Sequence, residues 1–324
     1  MGKDTCAREY YSDHARYADV INGLVFDGQQ LVQEENLQEL DSRVGNKVRD
    51  LLRKIELDGD ILTVGIENQD YIDYAMPQRT LFYEALEYDR QKTLLRKNIE
   101  KEMKKDPDGA ALSSGEYLGR FRQDSRLVPH VTLVLYYGQE SWDGAVDLTD
   151  IINFGKVPEA FRKLVQNYRT HVVEVRKLED TGVFHTDVKQ VFDFIRCSDD
   201  KEKLDHLIRS DPAFQRLDRK AYEFMSHYGK AHSLLQCKEY KREGEVVDMC
   251  KAFDELYEDW KEIGKGIGKE EGVEQEKRNT ILRMLQESMP LEQILRFCDC
   301  TAEYVERVRL RGETDQKQNY WAAV

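Results

Sequence analysis

Residues 50–69 read DLLRKIELDGDILTVGIENQ, and this stretch predicts a β-hairpin. Asp58-Gly59 between two alternating apolar runs is a strong signal for a two-residue turn. With that turn, residues whose numbers sum to 117 oppose each other, so Asp50 is expected directly across from Glu67. The opposite face then carries an apolar set fit for burial, made of Leu51, Ile55, Leu57, Leu62, Val64 and Ile66.

The two opposed carboxylates indicate a divalent cation. Directly opposed side chains have Cβ atoms roughly 5 Å apart, and two like charges there are destabilising unless something offsets them. Gln69 lies two residues beyond Glu67 and therefore on the same face of its strand. The alternative is a surface hairpin whose carboxylates are simply solvated.

Four stretches, which together span most of the first 150 residues, resemble the recombination-promoting nuclease (Rpn) family of the PD-(D/E)XK nuclease superfamily. They are YADVINGLVFDGQQLV at 17–32, VRDLL at 48–52, GIENQDYIDYAMPQRTLFYEALEYDRQ at 65–91 and PHVTLVLYYGQESWDG at 129–144. The resemblance implies metal-dependent cleavage of DNA, with a role in recombination, mobile-element movement or defence against foreign DNA.

The resemblance also implies roles for single residues. Asp50 and Glu67 match the metal-binding acids, and Asp19 in the first helix matches an acidic position ahead of the sheet. Gln69 stands where most members of the superfamily carry lysine. An amide brings dipolar donors and an acceptor but no charge for the developing phosphorane. Mg²⁺ or another divalent cation, held through oxygen ligands, must then carry more of the catalysis.

DNA is the expected partner, and binding it requires a local cluster of basic residues on the surface. The net charge of −13 argues against a protein coated in nonspecific DNA-binding surface, because phosphate contacts need Lys and Arg. The candidates for DNA contact are Arg53, Lys54, Arg79, Lys92 and Arg96. For the basic runs the alternative is an ordinary solvated helix face. For Arg79 the alternative is an ion pair with Glu67 or Glu84 inside the protein.

The order of elements predicts an α/β fold. A helix after Ser12 or Asp13 is followed by a short strand at about 30–33 and then by the hairpin. A long helix with Pro77 near its start and a buried strand within 127–137 complete a βαβ unit. This order is that of a restriction-endonuclease-like core, a mixed four-stranded sheet with flanking helices, followed by an all-α C-terminal region.

The predicted domains are 1–155 for the nuclease-like domain, 156–265 for a helical domain, 266–312 for a small helical element and 313–324 for a loose tail. Helices expected near 274–287, 290–298 and 302–310 have the spacing of a small helix-turn-helix. A helical element that couples two subunits is the alternative. Since cutting both strands takes two sites or two encounters, a homodimer through these helices is one expectation.

Composition indicates a soluble globular protein, with 40% hydrophobic and 34% charged residues. No apolar run approaches the roughly 20 residues of a membrane span, and the N-terminal stretch lacks an apolar signal core, so we expect no membrane partner and a cytoplasmic location. The six cysteines form no CxxC pair and are expected to be free thiols, with no zinc site.

The leading hypothesis is therefore a Mg²⁺-dependent DNA endonuclease with Asp50 and Glu67 as metal ligands, Asp19 as an outer or second-site acid, and Gln69 orienting water or phosphate. The rival hypothesis is a catalytically weak or inactive protein of nuclease ancestry that acts as a DNA-binding or protein-interaction module.

Overall fold

The computed structural model describes residues 2–41, 43–44, 47–48, 50–105, 112–242 and 244–310. Within these ranges the description leaves out the side chains of 43–44, 47–48, 260, 262–271 and 273. The chain divides into two compact units, Met1–Phe253 and Asp254–Val324. The predicted tail, 313–324, lies outside the described residues.

The first unit is an α/β structure built on a five-stranded mixed sheet with strand order β1-β4-β5-β6-β7. The strands of this sheet are β1 (Leu37–Glu39), β4 (Leu51–Leu57), β5 (Asp60–Gln69), β6 (His130–Tyr136) and β7 (His171–Glu174). Two separate two-stranded sheets pair β2 (Arg43–Val44) with β3 (Lys47–Val48) and β8 (Leu217–Asp218) with β9 (Val246–Val247). The helices are α1 (Lys3–Tyr11), α2 (His14–Val25), α3 (Met76–Lys105), α4 (Ser114–Gly119), α5 (Glu159–Arg162), α6 (Val188–Cys197), α7 (Lys201–Ser210), α8 (Arg219–Tyr228) and α9 (Lys238–Lys241), followed by α10 (Met249–Gln286), which crosses the boundary between the units.

The hairpin of β4 and β5 has the predicted register. All seven pairs from Leu51 with Ile66 to Leu57 with Asp60 sum to 117, as expected for the two-residue turn. Asp58 and Gly59 have φ values of 51° and 90°, the pair of positive angles that a type I′ turn requires. This turn matches the right-handed twist of the strands and therefore fixes which residues of β5 face each side.

The remaining strands make the sheet mixed. β5 and β6 pair in parallel across the α3 crossover, and Pro77 lies in the first turn of α3 as predicted. The predicted strand at 30–33 is wrong. The Asn22 side chain binds both main-chain groups of Val32, at 2.8 Å and 2.9 Å, and a short 3₁₀ helix at Glu34–Asn36 follows before β1 begins.

The predicted domain boundary at residue 155 does not coincide with the boundary between the compact units, because β7 adds a fifth strand that pairs in parallel with β6. Residues up to Phe253 belong to the same compact unit as the sheet. Helices α6 and α8 pack with α2 and α1 respectively on one side of the sheet, while α3 packs against β6 on the other side. The region after 155 is mainly helical but not all-α.

The second unit continues α10 and adds α11 (Leu291–Cys298) and α12 (302–310). Its described residues share an apolar core of Ile281, Ile294, Val305 and Val308. Between α10 and α11 the chain turns at Ser288, where φ is 56°, and the Thr301 Oγ1 at the start of α12 accepts a hydrogen bond from the Tyr304 main-chain N. The unit boundary falls inside α10 rather than at the predicted residue 265. No helix in the described part of the chain is long and apolar enough to cross a membrane.

Arg53 in β4 is buried rather than available to DNA, which corrects its prediction as a DNA contact. The residue is 1% exposed. Its guanidinium donates to the carbonyls of Tyr11 and Ser12, at 3.2 Å and 2.6 Å, and lies over the Tyr17 ring at 4.4 Å. These carbonyls are at the C-terminal end of α1, where the helix leaves acceptors without intrahelical donors. Arg53 therefore joins α1 to the sheet.

Replacing Arg53 with alanine should destabilise the fold by about 3 kcal/mol, because it removes the donors of buried carbonyl groups and leaves a cavity. Urea unfolding measures the loss. Arg96→Ala is the control, since Arg96 is 62% exposed and paired with Glu100, and its loss should stay within about 0.5 kcal/mol. Equal losses for the two variants would contradict the structural role of Arg53.

Candidate functional site

The candidate site lies at the carboxyl end of β5, the central strand of the sheet. Residues 63–69 of this strand are all buried, and the last three are Glu67, Asn68 and Gln69. Polar residues at the end of a buried strand need partners, since an unpaired polar group there costs free energy. Successive side chains alternate between the faces, so Glu67 and Gln69 lie on the α3 side and Asn68 on the α1 side.

Asp50 immediately precedes β4, and its carboxylate is bound across to β5. Its Oδ2 accepts hydrogen bonds from the Asn68 main-chain N at 2.9 Å and from Asn68 Nδ2 at 3.3 Å. The regular ladder ends one pair earlier, at Leu51 with Ile66, so the expected direct pairing of Asp50 with Glu67 is not part of it. Burial raises the pKa of the Asp50 carboxyl, against the opposing effect of the Asn68 hydrogen bonds and of Arg8.

Glu67 is 2% exposed and is held by α3 and by its own strand. Its Oε1 accepts a hydrogen bond from Arg79 Nη2 and another, at 3.2 Å, from Gln69 Nε2. Arg79 also donates to the Tyr83 hydroxyl at 3.3 Å. The structure therefore places Arg79 in the ion pair with Glu67 that the sequence offered as the alternative to DNA contact.

Gln69 supplies the observation that favours a cation at this site. The residue is 4% exposed, and its Oε1 is buried yet accepts no hydrogen bond from any described residue. Carboxylate and amide oxygens can act as ligands of Mg²⁺. This ion is commonly held through one or two carboxylates, with several of its waters retained. The side-chain oxygens of Asp50, Glu67 and Gln69 are ligands of the type that such an ion binds. Among the described residues, no group of three or more His, Cys, Asp and Glu side chains could hold a metal ion.

Asp19 lies in α2 and is occupied elsewhere. It is 3% exposed, and its carboxylate accepts hydrogen bonds from the main-chain N of His185 at 2.9 Å and of Thr186 at 2.7 Å, and from Thr186 Oγ1 at 2.7 Å. These contacts fix the segment that leads into α6. Within the described residues the structure does not join Asp19 to Asp50 or Glu67.

The other basic candidates lie apart from one another, with Lys54 on β4 and the other two on α3. Lys54 pairs with Glu56 at 3.2 Å, and Lys92 and Arg96 are exposed on α3. Gln91 exchanges hydrogen bonds with the main chain of Val128, just before β6 begins. At about 1.5 Å rise per residue, Lys92 therefore lies about 20 Å along the helix axis from Arg79, toward the opposite end of the sheet.

A buried chain of hydrogen bonds behind Asp50 was not predicted. Tyr11 and Tyr137 share a hydrogen bond of 2.9 Å between their hydroxyls, and Tyr137 donates to Asn68 Oδ1 at 3.0 Å. Asn68 is thereby oriented with its Nδ2 toward Asp50. The alternation of β6 places Tyr137 on the α1 side, which is a signal in the sequence, but its partner Tyr11 belongs to α1, a helix that was not predicted.

Helix α1 also brings two cations to this end of the sheet. Arg8 Nε lies 3.4 Å from Asp50 Oδ1, and Lys3 Nζ forms an ion pair with Asp70 Oδ2. Neither contact follows from sequence spacing, because more than 40 residues separate each pair along the chain.

Replacing Tyr137 with phenylalanine should cost about 2 kcal/mol of stability, because Asn68 Oδ1 loses its buried donor and the Tyr11 hydroxyl loses its partner. The adjacent Tyr136→Phe is the control. The Tyr136 hydroxyl makes no hydrogen bond that involves the described residues, so its removal should change the free energy of unfolding by less than about 0.5 kcal/mol. Urea unfolding measures the loss of stability in both variants. Equal losses would contradict the structural role of the hydrogen bonds of Tyr137.

Comparison of the chain with family models, with curated proteins and with solved structures gave no significant match.

Proposed function

We propose that the protein is a Mg²⁺-dependent DNA endonuclease that hydrolyses phosphodiester bonds at the carboxyl end of β5. The observation that carries the proposal is the buried Gln69 Oε1, which accepts no hydrogen bond from the described residues and lies beside the Glu67 carboxylate. Asp50 is bound to the residue between them. The proposal includes a restriction-endonuclease-like core within the observed α/β fold.

In this proposal Asp50 and Glu67 would hold the ion at the end of β5, and Gln69 would add an amide oxygen. Asp50 contacts Asn68 and Arg8, and Glu67 contacts Arg79 of α3. When bound, Mg²⁺ supplies a Lewis acid for the phosphate and lowers the pKa of water to give a nucleophile. Gln69 Nε2 holds the Glu67 carboxylate in place through its 3.2 Å hydrogen bond. The Asn68 main chain holds Asp50 in the same way, so both acids are oriented before substrate arrives.

Positive charge near the phosphate comes from arginine rather than from a lysine on β5. Arg79 is 27% exposed while its partner Glu67 is buried, so the guanidinium reaches the solvent side of the pair. A planar guanidinium can bind a phosphate through two hydrogen bonds. Asp19 has no part in this scheme, because its oxygens bind the 185–186 segment.

A second candidate function is a DNA-binding or protein-interaction module of nuclease ancestry. It is favoured by the Arg79–Glu67 ion pair, since a cation already neutralises one of the two acids, and by the missing lysine at Gln69. This candidate differs in one measurable respect. DNA binding would survive loss of Asp50 while no cleavage would occur in any variant.

Mg²⁺-dependent nicking of supercoiled plasmid by the purified full chain tests the proposal. Wild type should nick, and Asp50→Asn and Glu67→Gln should each lower the rate on the order of 100-fold or more, because each removes a ligand charge worth several kcal/mol of transition-state stabilisation. Asp205→Asn, which changes an exposed acid paired with Arg209, should nick like wild type.

A chelator should abolish the activity of wild type. Nicking that persists equally in Asp50→Asn and Glu67→Gln would come from a contaminant and would sink the nuclease proposal. DNA binding without nicking by wild type would support the second candidate instead.

A further inference from the structure

Three acids at the carboxyl end of β5 each form an ion pair with a basic side chain. The pairs are Asp50 with Arg8, Glu67 with Arg79 and Asp70 with Lys3. Two of these cations, Arg8 and Lys3, belong to α1, which lies outside the stretches that carry the family resemblance. A helix distant in sequence therefore balances charge at the candidate site.

Helix α1 is firmly fixed in this position. Tyr10 and Tyr11 are fully buried, and Arg53 binds the carbonyl groups at the C-terminal end of the helix. Tyr11 also joins the chain of hydrogen bonds that orients Asn68. The Arg8 side chain is thus delivered to Asp50 by a rigid element rather than by a mobile terminus.

The Arg8 ion pair has the properties of a contact that can be exchanged. Its 3.4 Å distance exceeds the roughly 2.7–2.9 Å typical of a charge-assisted hydrogen bond. The Arg8 side chain is 45% exposed, whereas that of Asp50 is 12% exposed. The guanidinium therefore faces solvent from the edge of the site, where a polyanion would approach, and the carboxylate faces inward.

We propose that Arg8 is a phosphate-binding residue of this site, pairing with Asp50 when no divalent cation is bound and with a DNA phosphate when one is. The inference rests on the proposed function and extends it to α1. Together with Arg79 on α3, Arg8 supplies the positive charge that Gln69 does not provide on β5. Arg8 also competes with the divalent cation for Asp50.

Two binding measurements on the full chain test the role of Arg8 without relying on cleavage. Calorimetry measures the affinity for Mn²⁺ alone, and fluorescence anisotropy measures the affinity for a short labelled DNA duplex in Ca²⁺ buffer. For Arg8→Gln the Mn²⁺ Kd should fall about threefold to fivefold, because a competing cation is gone. Its DNA Kd should rise about tenfold, and the slope of log Kd against log salt should fall by about 0.9, as for one lost phosphate contact.

Arg209→Gln is the matched control, since Arg209 is 50% exposed and pairs with Asp205 on α7. It should bind Mn²⁺ and DNA like wild type, and Arg8→Lys should restore most of the DNA affinity. Weaker Mn²⁺ binding by Arg8→Gln, or unchanged DNA affinity, would overturn the role of Arg8 while leaving the nuclease proposal in place. A wild-type protein that binds neither Mn²⁺ nor DNA would overturn both.

Discussion

The register of the β4–β5 hairpin is the constraint on which the rest of the structure depends. Asp58 and Gly59 adopt positive φ angles, and the resulting two-residue turn aligns seven pairs of residues. A shift by one residue would move Glu67 to the α1 side and Asn68 to the α3 side. Arg79 would then lose Glu67, and Asp50 would lose the donors of Asn68. The site exists because the turn admits one alignment.

Burial of charge is the second constraint. Glu67 is almost fully buried, and a carboxylate in that position is stable only with a counterion and hydrogen bonds. Arg79 provides the counterion from α3, and Gln69 provides a hydrogen bond from the same strand. A strand that is apolar at Val64 and Ile66 and then ends in Glu-Asn-Gln departs from the pattern of a buried strand, and such departures are concentrated at functional sites.

Local patterns were sufficient to predict the hairpin, its register, α3 and β6, because turn residues and periodic burial act over short stretches. They were insufficient where distant segments meet. In the sequence Arg53 has the pattern of a surface cation, but α1 buries it in the structure. β7 is only four residues long, and its pairing with β6 decides its structure. The contact of Asp19 with residues 185–186 likewise spans more than 160 residues.

The same limit applies to the candidate site. Glu67 and Gln69 lie two residues apart on one strand, so the alternation of side chains along β5 predicts their proximity. The partner of Asp50 could not be predicted in this way. Its carboxylate accepts a hydrogen bond from the Asn68 main-chain N beyond the last pair of the β4–β5 ladder, where the register no longer determines contacts. Arg8 reaches Asp50 because α1 packs against α8 and the sheet, which no spacing in residues 3–11 indicates.

We propose that Asp50 and Glu67 share one divalent cation. Counting Mn²⁺ ions bound per chain by electron paramagnetic resonance tests it most directly, in wild type and in the single variants Asp50→Asn and Glu67→Gln. One bound ion is expected in wild type, and each variant is expected to lose that ion. Retention of the ion by either variant, or no bound ion in wild type, would contradict it.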